Sequence, residues 1–173
     1  AELPVLAGQD ELLTLTHARL GDPGFGSSPG GALLCATLRA AGNEALESLQ
    51  AKAAGLINAV AEAHGLERKI HWQEPFAAAV NLPAAVEIVR KATAQRKLSL
   101  HEPERPFRWS EDFGCFTQNV PGALLCLGAG EACPPLHAGA YEFPDDLLEI
   151  GLGLWLAIVE RAQTLRSQVL PAG

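Results

Sequence analysis

The residues of this chain best suited to chemistry sit in one short segment. Residues 133–143 read Cys-Pro-Pro-Leu-His-Ala-Gly-Ala-Tyr-Glu-Phe, and Pro134 and Pro135 stiffen the backbone just before His137. A fixed imidazole loses little entropy on coordination, so the arrangement suits His137 as a metal ligand. Spacing alone does not separate that role from a loop histidine bonded to backbone. Cys126, Cys133 and His137, with Cys115 as a fourth, could also form a three-Cys, one-His structural zinc set. Against it, Cys126 lies within Leu-Leu-Cys-Leu, the context of a small core residue, and the paired Cys spacing of zinc knuckles is missing. Arg39 ends an apolar run, where its guanidinium could take a carboxylate bidentately or simply face solvent. Other signals are weaker. Ser110-Glu111-Asp112 lacks the Gly-x-Ser-x-Gly elbow of a serine nucleophile. A Cys133/His137 nucleophile pair would need spatial proximity that a sequence cannot supply. Gly128-Ala129-Gly130 is half a dinucleotide fingerprint without the third glycine, and Asp145 and Asp146 read as helix-start charges.

These residues depend on elements that the hydrophobic pattern outlines. Leu12 to Ala18 alternates as a strand, with Leu13, Leu15 and His17 on one face and Thr14, Thr16 and Ala18 on the other. The Gly/Pro/Ser-rich stretch 21–31 is a loop, and Ala32 to Arg39 is a second strand, antiparallel to the first. Asn43 is placed to cap a helix on which Leu46, Leu49, Ala53, Leu56 and Val60 recur, closed by His64-Gly65. Lys69 to Glu74 alternates again, as a third strand, for a ββαβ order over residues 11–75. Asn81-Leu82-Pro83 opens a helix to about Arg96, with Val86, Val89 and Ala92 inward. His101 to Pro106 is loop, and Ser110 caps a short helix through Phe116. Gly122 to Gly128 is a continuous apolar run, expected as a strand covered on both faces. After the loop 130–140, Pro144-Asp145-Asp146 begins the last helix, with Leu147, Ile150, Leu154, Ile158 and Arg161 down one side. The loop holding His137 thus lies between a buried strand and a helix start, where α/β proteins place ligands.

Composition narrows the classes. The 173 residues are 48% hydrophobic and 19% charged, enough apolar content to exclude a disordered chain. A domain of ~150 residues buries roughly 70% of its unfolded surface, so the chain is one ordinary domain or two small ones. Four Cys are too few for a disulfide scaffold, which favours thiols in a reducing, cytoplasmic compartment. Thirteen basic against twenty acidic side chains leave a net charge of −7, which repels phosphate backbones and argues against nucleic acid as a partner. The longest apolar run, Ile150 to Val159, is about half the ~20 residues that span a bilayer, so no membrane partner is expected. The chain has no Met and opens Ala-Glu-Leu-Pro, so either its start has been removed or it is a piece of something longer.

An ordered series of short motifs adds a family. Ser110-Glu111-Asp112-Phe113 precedes Val120-Pro121-Gly122-Ala123, then Leu127-Gly128-Ala129-Gly130, Pro135-Leu136-His137 and Tyr141-Glu142-Phe143-Pro144-Asp145-Asp146. In this order and spacing they resemble the C-terminal part of the aminoacylase-like metallopeptidase family, which includes hippurate hydrolase, N-acyl-amino-acid hydrolases and acetylornithine deacetylase. Upstream, Ala36-Thr37-Leu38-Arg39 resembles the strand end of that family's lid, and Asn81-Leu82-Pro83 its return into the catalytic domain. Together the likeness spans residues 11–165. It implies a partial ferredoxin-like α+β lid, ββαβ without its first strand and helix, over residues 1–78. Residues 79–173 would then be the C-terminal part of an α/β catalytic domain.

The resemblance also implies a reaction. Family members hold two divalent metals, usually zinc or manganese, and a metal-activated water attacks the amide of N-acyl amino acids or small peptides with a glutamate as base. By position His137 matches the last metal ligand, and Arg39 a lid residue that could hold the substrate carboxylate. The remaining ligands and the base belong upstream, so this stretch alone is expected to be inactive. His17, His64, His71 and His101 match no metal motif of the family. Ala138-Gly139-Ala140 replaces a common His-Pro, and Phe25-Gly26-Ser27-Ser28-Pro29 stands where relatives carry Asn-Val-Ile-Pro. A homodimer through the lid is implied. A lid lacking a strand also leaves an open edge, at 12–18 or 67–74, for the missing N-terminal half or another chain. Two other readings remain, a non-catalytic binding or dimerisation protein with a vestigial site, and the structural-zinc domain.

Overall fold

The computed structural model describes residues 11–169, with side chains through residue 164; the outer ends of the two expected domains, 1–10 and 170–173, lie outside it. Among the described residues the architecture is mixed α+β, a two-stranded antiparallel sheet and four helices. The described chain divides into two compact units, residues 11–78 with 106–111, and residues 79–105 with 112–169.

In the first unit, β1 (Glu11–Leu20) pairs with β2 (Ala32–Ala40), from Glu11 opposite Ala40 to Leu20 opposite Ala32. The register shifts between Leu15 and His17, leaving Thr16 as the extra residue of a bulge. The strict alternation expected for residues 12–18 therefore breaks there, and of its apolar face only Leu13 is buried. The loop between the strands is closed by Gly21, which donates to the Gly31 carbonyl at 2.8 Å. Helix α1 (Asn43–Ala63) lies against both strands and buries Leu49, Ala53 and Ala61.

The ends of α1 show how local chemistry sets boundaries. Gly65 takes φ +63°, its N–H donates to the Glu62 carbonyl, and the Leu66 N–H reaches the Ala61 carbonyl at 2.8 Å. That pair of bonds is a Schellman closure, which requires the left-handed conformation that glycine adopts without strain. At the other end Asn43 is not the cap. Gly42 holds the extended capping position, and Asn43, the first helical residue, accepts the Ala78 N–H on Oδ1 at 2.7 Å. An amide side chain inside the first turn is free to reach a distant backbone, and here it ties the end of the unit to the helix start.

Lys69 to Glu74 does not form the expected third strand; the described sheet has only β1 and β2. Alternation marks two faces, but a ladder needs a neighbouring strand in register. Trp72 is 46% exposed and His71 and Gln73 are also exposed, with Ile70 half-buried, so no face of this segment is fully covered. What stands of the ββαβ order is a hairpin and one helix.

In the second unit, α2 (Pro83–Gln95) begins with Pro at its first position after an extended Leu82, the conformation a following proline enforces. It packs on α4 (Asp146–Val169) through a small core of Ala92, Leu154 and Ala157, with Leu98, Leu125 and Ile158 against it. Buried Thr93 returns its hydroxyl to the Val89 and Arg90 carbonyls, so this buried oxygen is satisfied within the helix. Ser110 does not cap the short α3 (Phe113–Thr117), because Asp112 holds that position. The run 122–128 is not a strand, and Cys126 and Leu127 are exposed. Instead the Asn81 amide spans it, donating to the Leu124 carbonyl at 3.0 Å and accepting the Leu124 N–H at 2.7 Å, while the Leu82 N–H meets the Gly122 carbonyl. A side-chain amide thus takes the place of a neighbouring strand, and it can pair with only one residue.

Two predictions follow from these ends and pairs. Gly65→Ala forces a Cβ into the left-handed region and should cost about 1 kcal/mol, read as a lower denaturation midpoint. Arg90 meets both Glu102 oxygens, at 2.6 and 2.8 Å, and this hydrogen bonding holds the Glu102 carboxyl below its ordinary value. Because the folded value is the lower one, the pair's contribution is complete above the ordinary carboxylate range and is lost as pH falls through the folded value. An NMR titration should place Glu102 lower in the parent chain than in Arg90→Ala; equal midpoints would show that the pair does not form in solution.

Candidate functional site

His137 sits on a series of reverse turns leading into α4. The Cys133 N–H bonds to the Gly130 carbonyl at 3.2 Å, with Gly130 at φ +89°. Pro134 and Pro135 then fix two successive φ angles. The Ala138 N–H closes on the Pro135 carbonyl at 3.1 Å, which makes Leu136 and His137 the central pair of a β-turn. His137 has φ +69°, the sign required at the third position of a type II turn and usually met by glycine or asparagine. A second turn, Tyr141 N–H to the Ala138 carbonyl at 2.9 Å, carries the chain to Pro144, whose carbonyl accepts the Leu147 N–H at the start of α4. The imidazole is therefore held out from a backbone fixed by proline on one side and hydrogen bonds on the other, and its side chain is exposed.

Beside this loop the second unit bears an open, mainly apolar cavity of about 510 Å³. Leu127, Leu136, Tyr141 and Phe143 line it from the loop, and Leu148, Leu152 and Trp155 from α4. The volume falls in the range of small-molecule pockets. His137 is not among the lining residues, although its neighbour Leu136 is.

The remaining candidates separate. Cys115 and Cys126 are exposed and Cys133 is half-buried, all three as free thiols. Among the described residues no group of three or more His, Cys, Asp or Glu side chains is placed to hold a metal ion, so Cys115, Cys126, Cys133 and His137 are not gathered as a set. Arg39 belongs to the other unit, half-buried near the end of β2 and opposite Leu12. Its Nη1 donates to the Arg108 carbonyl at 2.8 Å and to Ser110 Oγ at 3.2 Å. Sequence reasoning gave Ser110 a capping role and missed this pairing, since nothing local links positions about seventy residues apart. It also missed the cavity, whose signal was visible: Leu148, Leu152 and Trp155 recur at helical spacing on a second apolar face of α4.

Comparison with known proteins finds no match, whether among family models, curated proteins or solved structures. No helix among the described residues is long and apolar enough to cross a membrane.

The strain at His137 is measurable. A left-handed non-glycine residue costs about 1–2 kcal/mol, partly offset on replacement by the ~0.5–1 kcal/mol of chain entropy that glycine loses on folding. His137→Gly should therefore raise the unfolding free energy by roughly 0.5 kcal/mol, and His137→Val should lower it. A destabilised glycine variant would mean that the imidazole itself holds the loop.

Proposed function

We propose that this chain supplies the lid and the C-terminal catalytic part of a metal-dependent amidohydrolase acting on N-acyl amino acids or small peptides. The observation that carries the reading is His137, an exposed imidazole in a left-handed conformation on a proline-stiffened turn. Non-glycine residues in such conformations cluster at functional sites. The motif series around it, from Ser110-Glu111-Asp112-Phe113 to Tyr141-Glu142-Phe143, supports the same family.

The described residues of this chain do not by themselves fit a metal centre. One imidazole is present where three protein ligands are typical of a catalytic site, and no described cluster adds the others. In this reading the further ligands and the general base come from residues outside these 173, and the chain's own contributions are one ligand, His137, and the recognition of substrate. Arg39 takes the second role: a guanidinium forks onto a carboxylate with two parallel hydrogen bonds and so selects substrates with a free acid. A ferredoxin-like lid and a dimer formed through it belong to the same reading.

The test is turnover by the full-length protein in which these residues occur. With zinc or manganese it should hydrolyse N-acyl amino acids, EDTA should abolish the activity, and His137→Ala should lower kcat/KM by roughly 100-fold or more. Absence of hydrolysis with every divalent metal would favour the non-catalytic binding protein. Zinc bound at one equivalent by the 173 residues, and required for their folding, would favour the structural site of Cys115, Cys126, Cys133 and His137.

A further inference from the structure

A guanidinium carries five N–H donors, two on each terminal nitrogen and one on Nε. In Arg39 the two-donor Nη1 meets two acceptors, the Arg108 carbonyl at 2.8 Å and Ser110 Oγ at 3.2 Å. With Nη1 engaged, the end-on fork made by the two terminal nitrogens is taken. The side-on fork of Nε and Nη2 is the one left for a planar bidentate partner. The segment that supplies both acceptors is itself stiffened, because Phe107 and Trp109 stack across Arg108 with centroids 4.1 Å apart and planes 15° from parallel.

We propose that Ser110 is a positioning residue for carboxylate recognition: its hydroxyl, with the Arg108 carbonyl, orients Arg39 so that the Nε/Nη2 edge receives the substrate's carboxylate. The inference rests on the reading of Arg39 as the carboxylate holder. A long side chain on a strand end samples many rotamers, and a bidentate contact uses only one guanidinium plane. Ser110 contributes by removing that search before the ligand arrives.

The experiment is calorimetric titration of the full-length protein, with EDTA present to prevent turnover, against N-benzoylglycine and its amide, N-benzoylglycinamide. The wild-type protein should prefer the carboxylate, and Arg39→Ala should abolish the preference. Ser110→Ala should weaken N-benzoylglycine binding roughly tenfold, the lower end of the worth of one hydrogen bond from a charged donor, and leave the amide unchanged. Ser110→Thr, which keeps the hydroxyl, should stay within about twofold of wild type. If Arg39→Ala removes the preference while Ser110→Ala preserves it, or if Ser110→Ala weakens both ligands alike, the positioning role is overturned and the role of Arg39 stands. A wild-type protein that shows no preference, or binds neither ligand, overturns the role of Arg39 and the positioning proposal together.

Discussion

The second unit depends on a seam between two helices built from small side chains. Ala92 of α2 and Ala157 of α4 each present a single carbon, so the helices approach closely enough for Leu154 to be buried beside them. Leu98, Leu125 and Ile158 pack against it. The chain enters α2 through Asn81, whose amide holds Leu124, and Leu125 packs on the same core. It leaves that run through the turns carrying His137 and is brought back to the seam by α4. A larger side chain at position 92 or 157 would separate the helices and move both ends of the loop presenting the imidazole.

Unit one solves a different problem. A two-stranded hairpin is marginal alone, and α1 packs against both strands with Leu49 fully out of solvent, although Leu13 is the one buried strand residue. Leu15, Leu20, Leu33 and Leu34 remain exposed along the strands, so the helix covers less apolar surface than the hairpin presents. The segment 106–111 returns to this unit late in the chain and engages Arg39. The substrate-facing chemistry proposed for Arg39 therefore rests on a contact between the strand end and a distant loop.

Elements whose cause is local were legible. The hairpin, the glycine closure of α1, the proline start of α2 and the long final helix all follow from turn residues, caps and periodicity within a few positions. The elements that failed needed a partner. Residues 69–74 and 122–128 have strand-like patterns, yet a strand exists only where another backbone lies alongside in register. The same limit applied to single residues. Asn43 and Ser110 look like caps because serine and asparagine commonly bond the nearest N–H groups, but each is engaged at long range, with Ala78 and Arg39.

The site shows the same division. From sequence alone came the candidate residues and part of their physics: two prolines before His137 limit the backbone, and Arg39 carries a fork that matches a carboxylate. The amino-acid order also made α4 apolar on more than one side. Tertiary structure decided the absence of a gathered metal set among the described cysteines and this histidine, and the face of α4 that lines the cavity. It also decided which edge of Arg39 is engaged. The reason is that φ angles, caps and hydrophobic periods are determined by neighbours along the chain, whereas hydrogen bonds across seventy residues and the covering of a face are determined by neighbours in space.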